Sequence, residues 1–239
     1  MFDRLKRIFG GKDSAAPSSA IAGPERQRIH QWALQQGYSF SDKPVQGRPE
    51  PSPGFQFGLE SKIRGKRWRI ECGSPDRDFI KGLALRGRID LGALQAASIV
   101  IMNRPLKVAL EKRAYALYTD SVQTAVDPNL PEEMRWLAAL PEVAWKGPPA
   151  TLFDNYAVLA AKREHATAWV DDALAETLMG WQAQGMGPNS PFVLMLMRGK
   201  CYLRMQYVKA DLSVLQQAVK VFAAASESGF RNLPDIAGR

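Results

Sequence analysis

Between Phe55 and Cys72 the chain alternates apolar and polar residues on both sides of Arg64-Gly65-Lys66. A period of two predicts a pair of strands, and the two-residue loop Arg64-Gly65 fixes their register. Ile63 then faces Lys66, Ser61 faces Trp68, Leu59 faces Ile70 and Phe57 faces Cys72. The last three pairs share one face and are nearly all apolar, while Glu60–Arg69 and Lys62–Arg67 take the other. Such a hairpin buries one face and solvates the other. Gly65 suits the positive φ of a tight loop, but a type I′ turn asks the same of Arg64, which leaves the turn type open.

A second segment, Phe192 to Tyr207, repeats the plan around Arg198-Gly199-Lys200. Here Leu196 faces Cys201, Leu194 faces Leu203, and Phe192 faces Met205. The opposite side still carries Val193, Met195, Met197 and Tyr202, so this hairpin belongs in a sheet interior. Relative to the two turns, the core-facing positions differ by one residue. Two similar helix–hairpin units are expected; the shifted parity argues against a simple superposable repeat and leaves an internal duplication open.

Apolar residues at three- and four-residue steps place helices elsewhere. The spacing predicts one over 24–36, one from Leu106 to Leu117 capped by Asn103, and one starting at Glu132 behind Pro131. A single helix carries Ala166, Trp169, Val170, Leu174 and Trp181 on one side, and a last one runs from Asp211 to near Gly229, with a frayed tail beyond. Further strands are expected within 78–92, 98–102 and 156–161. The class is therefore α+β, with antiparallel hairpins and flanking helices. It divides into an N-terminal segment (1–23) and two halves (24–128 and 129–239) that are either separate or interlocked in one domain.

Charge adds a candidate surface. The 239 residues carry a formal net charge of +8. Between Lys62 and Asp90 nine basic residues stand against four acidic ones, so more than half the excess lies around the first hairpin. Alternation puts Lys62, Arg67 and Arg69 on the solvated face, with Arg86 and Arg88 together on the next strand. With Arg64 at the turn, these six make a basic face for an acidic protein or a lipid head group. Nucleic acid is the second reading. Trp68, near the patch, shares its face with Ile70 and Cys72 and reads as core, not as a stacking platform.

At the start of the chain Phe2, Leu5, Ile8 and Phe9 recur at helical spacing, with Arg4, Lys6 and Arg7 between them. A short basic amphipathic stretch can rest weakly on an anionic membrane. No apolar run approaches the roughly 18–20 residues that cross a bilayer. A basic start without an apolar stretch behind it does not read as a signal peptide, so a cytoplasmic location is expected.

Reaction chemistry is not written in this sequence. Cys72, Cys201, His30 and His165 are isolated, without the short spacings of a zinc site. Gly10-Gly11-Lys12 is followed by Asp13 where a phosphate loop needs Ser or Thr, and the nucleophile elbow is missing. The carboxylate pairs Glu132-Glu133 and Asp171-Asp172 read as first-turn charges and solvated faces. No cofactor or metal is expected, and the oligomeric state is open. The expected function is binding or regulatory; an enzyme without a recognisable motif is the third reading.

Overall fold

Both Arg-Gly loops are type I′ turns. Arg64 and Gly65 have φ of 49° and 79°, Arg198 and Gly199 of 51° and 71°. Each arginine thus sits in the left-handed region that ordinary residues avoid, held there by the strands on either side. The computed structural model describes residues 21–44, 54–92, 94–119, 132–147, 150–183, 189–207 and 211–234. The strands are β1 (Ser39–Ser41), β2 (Phe57–Ile63), β3 (Lys66–Gly73), β4 (Leu83–Asp90), β5 (Ser98–Asn103), β6 (Tyr156–Ala160), β7 (Phe192–Met197) and β8 (Lys200–Tyr207). The helices are α1 (Gly23–Gln35), α2 (Arg104–Thr119), α3 (Glu132–Ala139), α4 (Ala150–Asn155), α5 (Arg163–Trp169), α6 (Asp172–Ala183) and α7 (Leu212–Asn232).

The strands form one sheet in the order β1-β2-β3-β4-β8-β7-β5-β6, every neighbouring pair antiparallel. The α+β class with flanking helices is thus the one the sequence predicts, and both hairpins have the expected register. The two halves of the chain meet in this sheet, where β4 pairs with β8 from Leu83–Tyr207 to Asp90–Lys200. One face is covered along its length. Ile29 of α1, Trp169 of α5, Leu178 of α6 and Phe222 of α7 pack there with Leu59, Ile70, Leu85, Leu203 and Leu194. Among the described residues the other face is covered only over β5–β7, where Leu106 and Leu110 of α2, Trp136 of α3 and Leu140 just past its end meet Val100, Met102, Leu159, Val193 and Met195.

Four local expectations need correction. The predicted helix through Trp169 and Trp181 is two helices, α5 and α6. Asp171 breaks it by accepting a hydrogen bond from the Leu174 N–H at 3.0 Å, as an N-cap does. The last helix does not stop at Gly229 but runs on to Asn232, and Leu233 beyond it is buried. That glycine serves close approach, since a Cβ there would stand 2.6 Å from Leu91 Cδ1. Two short elements, β1 and α4, carry too few residues for a period to show. Finally, Glu132 and Glu133 lie in the first turn of α3 as expected, but Glu133 is buried instead of solvated. Asn103 precedes α2 as predicted, and its side chain also reaches across to Ser190 O (3.2 Å) and the Phe192 N–H (3.0 Å).

Cys72 and Cys201 are free and buried. Burial pushes each thiol up to about 12, against the opposing pull of Arg86 and Arg26 at Cys72 and of Ser226 at Cys201. An acid held neutral in the fold contributes stability that is complete below its unfolded pKa and is lost as pH rises through the folded value. Stability should therefore decline between pH 9 and 12, by about 1 kcal/mol per thiol at pH 10. Urea unfolding at pH 8 and pH 10 tests this: Cys72→Ala with Cys201→Ala should shrink the difference between the two, and an unchanged difference would refute it.

Candidate functional site

Side chains alternate across the sheet, so each cross-strand row on the half-covered face can be read off the register. One row runs Glu60, Arg69, Arg88, Tyr202, Met195, Val100 and Leu159. The next runs Gly58, Glu71, Arg86, Arg204, Val193, Met102 and Ala157. The second row changes from charged to apolar between β8 and β7, and the first passes from Arg88 through Tyr202 to Met195, at the edge of the helical cover. What lies outside α2 and α3 is an arginine-bearing half-sheet.

Like charges directly opposite each other repel. Arg69 faces Arg88, and Arg86 faces Arg204. The fold meets that cost with carboxylates around the rim. Arg69 pairs with Glu71, and Arg86 lies 3.7 Å from Asp76 while donating to Ser74 O at 3.1 Å. Arg204 donates to Glu132 Oε2 at 3.1 Å and lies 3.6 Å from Glu133. Burial alone would raise the Glu132 carboxyl, but Arg204 and Arg77 outweigh it and hold it below the usual carboxylate range. Burial pushes Arg86 below its ordinary value against the pull of Asp76 and Glu71, yet a guanidinium stays charged. Its Nε is buried with no partner among the described residues.

Two arginines are set against rings. Arg88 lies over Tyr202 and Arg204 over Trp136, each 5.9 Å from the ring centre. Such stacking orients the guanidinium plane and leaves its N–H edges for an anion. Arg67 and Arg88 are exposed, whereas the Arg86 and Arg204 side chains are only 15% and 18% exposed. A cavity of about 400 Å³ opens here, with Arg67, Arg69, Arg86, Arg88 and Arg204 in its walls.

Of the six residues singled out in the sequence, Arg67, Arg69, Arg86 and Arg88 come together in this cavity. Lys62 is exposed on the same face, opposite Arg67. Arg64 is not part of it. It turns to α7 and donates to Glu227 Oε2 at 2.8 Å. Arg204 and Tyr202 were missed: the β4–β8 pairing that brings them to Arg86 and Arg88 joins residues far apart in the chain. The alternation Lys200, Tyr202, Arg204, Gln206 was the available signal. Phe2, Arg4, Leu5, Lys6, Arg7, Ile8 and Phe9 lie outside the described residues. Among the described residues no helix is long and apolar enough to cross a membrane, and no three His, Cys, Asp or Glu side chains gather as a metal site.

Fold and surface together describe an α+β protein with an eight-stranded antiparallel sheet and one arginine-lined half-face. Among solved structures the chain is similar to the mycobacterial trehalose monomycolate transport factor A, TtfA, with 10% sequence identity and a TM-score of 0.51. The match covers 90% of this chain and 99% of that one, and at this identity it speaks to fold alone. No family model matches the chain. No curated protein matches it.

Proposed function

We propose that this chain is a binding protein that takes an anionic group, from an acidic protein or a lipid head group, on the open half of its sheet. The observation that carries the reading is the convergence of Arg67, Arg69, Arg86, Arg88 and Arg204 from three strands on one cavity. Arginine presents a planar fork that matches carboxylate and phosphate, and two of these five are stacked on rings. Glu132 is held ionised, which suits a fixed counter-charge better than a proton-transfer group. Trp68 is buried on the other face, leaving Tyr202 as the cavity's ring, which favours a compact anion over a stacked nucleic-acid strand.

The test compares ethyl phosphate, a labelled oligoglutamate peptide and a single-stranded oligonucleotide as ligands at two salt concentrations. Ethyl phosphate or the peptide should bind, more weakly at high salt, and Arg67→Glu with Arg88→Glu should reduce affinity at least about tenfold. Equal binding by the wild type and the double variant would sink the reading. Preference for the oligonucleotide would move it to nucleic acid.

A further inference from the structure

The arginine cavity does not end at Tyr202 and Arg204. These two side chains also wall a second cavity of about 530 Å³ that runs under α3. Its inner lining is Trp136, Leu140, Met195 and Met197, and its mouth carries the exposed Arg135 and Arg198. The change from arginine to methionine follows the sheet register, since Arg88 faces Tyr202 on β8 and Tyr202 faces Met195 on β7. Two adjoining lobes therefore share one wall, the second combining an apolar floor with a charged mouth. Each volume is within the range of small-molecule sites.

Among the described residues all cations lining the two lobes are arginines: Arg67, Arg69, Arg86 and Arg88 in the first, Arg135 and Arg198 in the second, with Arg204 common to both. Fork-shaped donors suit phosphate and carboxylate. Unbranched, polarisable methionine suits a flexible chain, because it re-packs around irregular apolar shapes. A peptide or nucleic acid rich in charge would find partners in the first lobe and none along Trp136 and the methionines.

Resting on the reading of the open half-sheet as an anion site, we infer that its ligand is a single amphiphile with a phosphate or carboxylate head and one alkyl chain. The head sits between Arg67, Arg88 and Arg204, and the first methylenes of the chain lie along Met197, Met195 and Trp136. Glu132 competes with the head for Arg204, so the head displaces it on binding.

Ethyl, hexyl and decyl phosphate, each below its micelle concentration, separate the parts by calorimetry. Burying one methylene raises affinity about fourfold, so decyl phosphate should bind at least about thirtyfold tighter than ethyl phosphate, at one per chain. Arg88→Glu should weaken all three, Met197→Gln should reduce only the gain from chain length, and Glu132→Gln should tighten all three. Equal affinity for ethyl and decyl phosphate would overturn the two-lobe ligand while leaving the anion site standing. Binding of decyl maltoside as tight as decyl phosphate would also overturn it, as would binding to phosphatidic acid vesicles but not to monomeric decyl phosphate. If neither the alkyl phosphates nor decanoate bind, the amphiphile is refuted; if the oligoglutamate peptide fails as well, so is the anion site.

Discussion

Replacing Arg77 by alanine is expected to destabilise the protein by about 3–5 kcal/mol, the usual cost of breaking a buried ion pair from one side. Arg77 donates to Glu132 Oε2 at 2.8 Å and to Glu133 through Nε, and lies 3.5 Å from Asp76. Glu133 is only 3% exposed, so without Arg77 its charge keeps Arg204 at 3.6 Å and little water. The loss has a second consequence, because both α3 carboxylates would then fall to Arg204 and draw it from the anion cavity. Arg77→Ala should therefore weaken anion binding as well as folding. Removing both charges is different: Arg77→Met with Glu133→Met should recover most of the stability, since no buried ion is left alone. Arg77→Lys should rescue only in part, because a single ammonium does not span two carboxylates as the fork does. Urea midpoints for the wild type, both single Met variants and the double one measure this coupling directly. An additive cycle would show that Arg77 and Glu133 act independently and would refute the account.

Glu133 also shows where reading from sequence stops. A carboxylate pair at the start of a helix predicts its place in the first turn, and that place is correct. Its burial depends on Arg77 arriving from the β3–β4 connection, a partner 56 positions away that no local period reveals. The first hairpin is the opposite case. Its register follows from the loop length and from alternation alone, and every predicted pair is found. The same rule gave the face of Arg67 and Arg69, because a strand buried on one side has no freedom in which side chains point out. Which strand lies beyond β4 is a non-local matter. The pairing with β8 brings Arg204 and Tyr202 into the site and gives the chain one sheet. Arg64 failed for a smaller reason: a turn residue escapes the alternation of the strands and swings to whichever side offers a partner, here Glu227.

Gly87→Val is expected to cost about 3 kcal/mol and to weaken anion binding, although no atom of the arginine cavity is replaced. Gly87 lies on the fully covered face of β4, between Ile70 on β3 and Leu203 on β8. A Cβ there would stand 3.0 Å from Leu203 Cβ and 3.1 Å from Phe222 Cε2. Leu203 Cβ is fixed by its own strand, so relief must come from α7, where Phe222 packs edge-on against Trp68 at 6.3 Å, or from β4 itself. If β4 bulges, its neighbours Arg86 and Arg88 move with it, and both point into the cavity on the other face. The helix that covers one side of the sheet thereby fixes the arginines on the other. Phe222→Leu leaves room for the added methyls at a cost of its own, so Gly87→Val with Phe222→Leu should lose less stability than the two single changes summed. Ethyl phosphate affinity should return in that double variant alongside the urea midpoint. Stability returning without affinity would mean that Gly87 supports the arginines through something other than the seat of α7.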